Sequence, residues 1–257
     1  MSTANKEKPN LERILPALPF VFLAATFLSR SEWFNPLIFP KPEDLLQLAP
    51  ELLSSEKYWS DLGKTMLKTL TAIGYGAAIG VPIGALMGEL KKTRLTLENF
   101  FDFLRGIPVT ALAGYFYLLS YNYGPSVLAP VYFNMLNLAH QTSSSIVNID
   151  QNVREAALID GANPWQMLRY ISLPLALDQV FLRLKSSLQY TLLVVIAMEM
   201  YGVYGGGVGG ALRDAQWGYR QSDALIYLIS IGLVSQALGM TADKLSGWYR
   251  RGLYEGD

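Results

Sequence analysis

Apolar segments, most of them about as long as a bilayer is thick, constrain this chain more than any single motif does. A membrane-crossing helix needs about 20 predominantly apolar residues. Segments of that kind fall at 15–28, 66–90, 107–121, 127–147, 175–200 and 224–240, the first and third being the weakest. The charged fraction agrees: 16% of residues, against roughly 25% in soluble domains. The expectation is an all-α integral membrane protein of six transmembrane helices, forming one domain over residues 1–257. Lysine plus arginine balance aspartate plus glutamate at 21 each, so no net field points to nucleic acid. There is no cysteine, which excludes disulfides, thiolate metal sites and cysteine catalysis. The single histidine, His140, cannot form a histidine cluster.

Basic residues set the orientation. With both termini inside, the inner segments hold Lys6, Lys8, Arg13, Lys91, Lys92, Arg94, Arg105, Arg154, Arg169, Lys244, Arg250 and Arg251. That is twice the number on the outer segments, which hold Arg30, Lys41, Lys57, Lys64, Arg213 and Arg220. The positive-inside bias therefore predicts cytoplasmic termini and a cytoplasmic loop at 148–174. Residues 15–28 follow three basic residues, as a cleavable signal would, but no small-x-small cleavage site closes them, and they read as a span.

The cytoplasmic loop is the exception to the apolar pattern. Asn152 lies three residues before Glu155, the spacing of a capping box. A short helix follows through Ala156, Ala157, Leu158 and Ile159, and Gly161 suits the left-handed position that ends it. Asn163 suits the next N-cap and Pro164 the first helical position. This second helix leads through Leu168, Ile171 and Leu173 to Pro174, at the mouth of the fifth span. The two small alanines would let another surface approach closely. On physical grounds alone, a surface-lying amphipathic connector explains the loop equally well.

The spacing Glu155-Ala156-Ala157, Gly161, Ile171 and Leu173-Pro174 resembles the EAA loop of binding-protein-dependent ABC importer permeases, and every element matches. Further stretches are similar to the nitrate/sulfonate/taurine branch of that family: "NPLIFPKPEDLL" at 35–46, "LRGIPVTAL" at 104–112 and "MEMYG" at 198–202. The chain departs from that branch at Met198, in "GYFYLLSYNYG" (114–124) and in the longer glycine run "YGGGVGG" (204–210). The resemblance implies the type I importer permease fold, with Glu155, Ala156, Ala157, Leu158, Asp160, Gly161, Ile171, Leu173 and Pro174 forming a coupling helix and turn. It implies a homodimer in the bacterial inner membrane lipid, two ABC ATPase subunits and an extracytoplasmic solute-binding protein. ATP and magnesium would be used by the partner ATPase, with no cofactor or metal on this chain and no catalytic residue. The solute implied is a small anion of the nitrate, sulfonate/taurine or bicarbonate type.

Other groups carry weaker signals. Gly80, Gly84 and Gly88 have the four-residue spacing of backbone-to-backbone helix packing, and Pro82 beside them is a potential kink. The glycine run at 204–210 lacks the Lys-Ser/Thr of a phosphate loop and reads as a flexible outer turn, with Glu199 accepting bonds from it. Arg183 and Lys185 are costly inside a span. With Gln189, Asn134 and Asn137 they are pathway candidates, interhelical hydrogen bonding being the alternative. Tyr117 and Tyr121, in a cluster with Tyr115, Phe116 and Tyr123, read either as an interfacial aromatic belt or as contacts for an aromatic, vitamin-type solute. An intramembrane enzyme would need a nucleophile with a base or a metal cluster, and the sequence offers neither. An ATP-independent channel or secondary carrier is the remaining alternative. Secondary carriers often consist of inverted halves, of which the sequence shows no trace, and the EAA loop would then go unexplained.

Overall fold

The computed structural model describes residues 40–119, 125–202 and 206–254; the expected span at 15–28 and Tyr121 lie outside these residues. The described residues are overwhelmingly helical. Helix α1 (Pro42–Ser54) starts on Pro42, and the Asp44 carboxylate accepts the Lys41 backbone N–H. Ser55 ends α1 and caps α2 (Glu56–Glu89), its hydroxyl accepting the Tyr58 N–H at 3.2 Å. At 34 residues, α2 is about 50 Å long. It begins at Glu56 and not at Met66, so Lys68 lies about three turns inside it. It also continues through Pro82 as one helix.

Along its middle, helix α2 buries small and polar residues and exposes large apolar ones. Thr65, Lys68, Thr69, Gly76, Gly80 and Gly84 are buried, while Leu67, Leu70, Tyr75 and Ile79 are exposed. Water would reverse that pattern; a lipid solvent permits it, because small residues then mediate close helix contact. The partner is α5 (Pro125–Val147). A side chain at Gly80 or Gly84 would collide with the α5 carbonyls of Met135 or Ala139, and one at Gly88 would sit 2.7 Å from Ile146. The glycine spacing is therefore a packing seam, one residue longer than expected because Gly76 meets Asn134 in the same way.

Between them, α3 (Lys91–Gly106) buries Phe101 against α2 and α5. It ends where Pro108 forces Ile107 into an extended conformation. A short 3₁₀ turn, Val109–Leu112, leads into α4 (Ala113–Leu119). Beyond α5 come α6 (Gln151–Ile159) and α7 (Pro164–Met167), then a π-turn at Leu168–Ser172 and α8 (Leu173–Leu182). Pro174 explains the wide turn: it has no N–H, and its ring would crowd the carbonyl four residues earlier in a regular helix.

The expected fifth span, 175–200, is two helices. A 59° bend at Arg183 separates the preceding helix from α9 (Leu184–Tyr201). Helices α10 (Val208–Trp217) and α11 (Gln221–Tyr254) complete the chain. Helix α9 is central: Leu192 and Ile196 pack with Val208 and Leu212 of α10 and Tyr227 and Leu238 of α11, and Met198 packs with Ala113 and Ala129. Among the described residues, α2 and α11 are long and apolar enough to cross a membrane, and the bent pair makes a third if counted as one span.

Candidate functional site

The polar loop between α5 and α8 folds as a capped helix–turn–helix. Asp150, and not Asn152, is the N-cap of α6; its carboxylate accepts both the backbone and side-chain N–H groups of Asn152, at 2.8 and 2.9 Å. Asp150 wins because the helix starts two residues earlier than the capping-box spacing implies, leaving Glu155 to accept Gln151 Nε2 at 2.6 Å. Gly161 has φ +82°, and the Ala162 N–H closes on the Ala157 carbonyl at 2.9 Å, the bond pattern of a helix ended by a left-handed residue. Asn163 and Gln166 form a reciprocal capping box over α7, with Pro164 in its first turn. Of α6 only Ala157 is buried. Leu158, Ile159, Trp165 and Tyr170 stand exposed, Ile159 at 86% of its surface. Large exposed apolar side chains on a polar, well-capped unit mark an interaction surface.

Glu89, the last residue of α2, ties this unit to the bundle. Its carboxylate accepts Arg154 Nη2 of α6 at 2.6 Å and the Ser172 hydroxyl at 2.8 Å. The Glu89 side chain is nearly dry, and charge-assisted bonds of this length are among the strong ones. Nothing about Glu89 or Arg154 alone signals this contact in the sequence, because the partners are 65 and 83 residues from Glu89.

The other end of α2 carries a second polar network. Glu199 is 0% exposed and accepts Thr65 Oγ1 at 2.8 Å, Lys68 Nζ at 2.8 Å and the Gly209 N–H at 2.9 Å. Lys68 also donates to the Gly206 carbonyl. Thr65 Oγ1 accepts the Val208 N–H, and Asp61 accepts the Gly207 N–H. The expected bond from the glycine turn to Glu199 is present. The turn at 206–210, however, is pinned and opens α10, in contrast to a flexible loop. Gly207 has φ +101°, and a side chain there would run into the Glu199 carboxylate. The charge signal in the sequence was two opposite, costly intramembrane charges on different spans, each the other's partner.

Among the described residues, the pathway candidates make separate contacts. Asn134 is 1% exposed and accepts Thr191 Oγ1 at 3.0 Å, an interhelical bond between α5 and α9. Asn137 donates to the Phe133 carbonyl and edges a small pocket with Leu104 and Arg105. Lys185 reaches Asp243 at 2.9 Å and, with Gln189, lies against Gly239 of α11. Arg183, at the bend, faces the other way into a cleft of about 420 Å³ shared with Ser144, Asn148, Asp150 and Gln179. Tyr117 donates to the Met198 carbonyl and abuts Gly202, while Tyr115 is exposed.

A lipid-adapted helical bundle carrying a capped, exposed helix–turn–helix fits a permease of the ABC importer class. The chain belongs to the family of binding-protein-dependent transport system inner membrane components, which it matches over residues 80–253. It is thus a permease subunit of an ABC importer and not itself an enzyme. It is 23% identical over 210 residues to a probable ABC transporter permease protein of Brucella melitensis biotype 1, covering 81% of this chain and 83% of that one. Glycine betaine/carnitine transport permease protein GbuB of Listeria monocytogenes serotype 1/2a is 28% identical over 156 residues, 58% of this chain and 54% of that protein. Choline transport system permease protein OpuBD of Bacillus subtilis is 22% identical over 194 residues, 75% and 84%. The fold is that of the inward-facing MetNI methionine ABC transporter, with a TM-score of 0.65 at 19% identity over 76% of this chain and 99% of that one. A bacterial alginate ABC transporter, solved in complex with a pentasaccharide-bound periplasmic protein, gives a TM-score of 0.63 at 17% identity over 93% and 97%.

Proposed function

We propose that the Gln151–Pro174 unit is the coupling element of this importer and that its exposed Leu158, Ile159, Trp165 and Tyr170 seat in a groove of a separate ATPase subunit. The observation that carries this reading is the combination of a capped, clamped backbone with an exposed apolar tip. Two ATPases using ATP and magnesium, a second copy of this chain and an extracytoplasmic binding protein complete the assembly, with six spans and both termini cytoplasmic. The translocation path runs along the axis between the two copies. That arrangement explains why Arg183, Lys185, Gln189, Asn134, Asn137, Tyr117 and Tyr121 need not converge inside one.

The solute proposed is a compact quaternary-ammonium molecule of the betaine, carnitine or choline type, after the relatives whose names state a solute. The relatives above whose names state a solute are betaine, carnitine and choline permeases, and the expectation of a small inorganic or sulfonate anion loses its support. Uptake of radiolabelled glycine betaine and taurine into cells with and without this chain tests the assignment. Loss of betaine uptake alone is expected; loss of taurine uptake alone would return the anionic reading.

A further inference from the structure

We infer that Glu89 is the positioning residue that passes displacement of the coupling helix into α2, and through α2 to the glycine turn at its far end. The inference rests on the coupling role proposed above for α6. A carboxylate at the last residue of a helix faces the negative end of the helix dipole, so Glu89 is held there by its partners and not by local preference. Those partners belong to two other segments: Arg154, next to Glu155 in α6, and Ser172, at the end of the π-turn that leads into α8. Moving α6 away from α2 would leave a nearly dry carboxylate without its cation, a costly separation.

The remainder of α2 is suited to carry a displacement. It is one helix from Glu56 to Glu89, and its glycines seat it backbone-to-backbone on α5. Lys68 and Glu89 are about 30 Å apart along the axis, one hydrocarbon thickness, with no charged residue between them. At the Lys68 end, Asp61, Thr65 and Lys68 grip three consecutive backbone positions of the turn, Gly206 to Val208. Each joint from α6 to that turn is thus a side-chain clamp and none is a loose loop. A conformational signal travels through contiguous, rigid contacts of this kind.

The test uses the assembled complex of this chain, its ATPase and its binding protein in proteoliposomes, with uptake per ATP hydrolysed as the readout. In Glu89→Ala the ATPase still co-purifies, and uptake per ATP falls about tenfold, within the range for a residue that modulates coupling without touching either ligand. The swap Glu89→Arg with Arg154→Glu restores most of the ratio. Joining Glu89→Cys to Arg154→Cys with a short bismaleimide, feasible because the chain has no natural cysteine, raises uptake above that of the unjoined pair, since the contact is kept throughout the cycle. Unchanged uptake per ATP in Glu89→Ala overturns the inference. So does loss of ATPase association in that variant, which would make Glu89 a folding residue, or a cross-link that stops uptake. If Glu89→Ala does not accumulate, the cross-linked pair decides alone. Failure of the wild-type chain to co-purify with an ATPase would instead remove the coupling role itself.

Discussion

Gly161 shows how much a single backbone angle can carry. Its φ of +82° is open to glycine and strained for a β-branched residue, while no neighbouring atom lies where a side chain would go. Gly161→Val therefore tests conformation without steric collision. The variant is expected to insert in the membrane but to lose substrate-stimulated ATP hydrolysis; wild-type transport by the assembled variant would make the loop a mere connector. Glu199 illustrates the opposite case, where burial dominates. Glu199→Ala leaves Lys68 buried without its counter-ion, and removing one partner of such a pair costs about 3–5 kcal/mol. Lys68→Met together with Glu199→Met should cost less than Glu199→Ala, because the pair is exchanged for apolar volume. Thermal unfolding in detergent reads both. Residue identities of this kind were partly legible in sequence. Gly161, Asn163 and Pro164 announce their positions through local backbone preferences, and the contact of Glu199 with the glycine turn follows from its nearness in the chain. Glu89 is illegible, since its partners are brought to it only by the fold.

At the scale of the element, α2 is defined by its seam with α5. Gly84→Leu would force a branched side chain into the Ala139 carbonyl and Thr142. Overpacking of a tight interface typically costs about 1–3 kcal/mol. The expected outcome is a lower melting temperature, with Gly74→Leu as the control because nothing lies near that position; equal effects at both would mean that the seam is not what holds α2. The seam was readable from glycine spacing alone. The break at Arg183 was not: the stretch "FLRLKSS" (181–187) contains neither proline nor glycine. The bend has no local signal in composition. The start of α2 at Glu56 was hidden for a related reason. Hydropathy marks where a helix enters lipid, and the Ser55 cap marks where it begins.

The whole molecule is readable as a membrane permease because its helices are long and apolar, and because α2 buries glycines and polar residues against its neighbours while Leu67, Leu70, Tyr75 and Ile79 face outward. Orientation rests on charge bias, and the lack of natural cysteine makes it measurable. A cysteine at Ser54 or Gln216 is expected to react with an impermeant thiol reagent from outside, and one at Gln151 only after permeabilisation. Labelling of position 151 from outside would place the helix–turn–helix on the wrong side for an ATPase. The solute was the least legible property, since the polar residues singled out in the sequence make separate contacts and do not form one recognisable site among the described residues. The central claim, that α6 and its turn seat in the ATPase, is tested most directly by a photo-cross-linking amino acid at Ile159, the most exposed apolar residue of the unit. Irradiated membranes should yield a covalent adduct of this chain with the ATPase subunit from position 159 and none from Tyr75, which is exposed on the apolar face of α2. No adduct from position 159, in a complex that still hydrolyses ATP, would contradict the account.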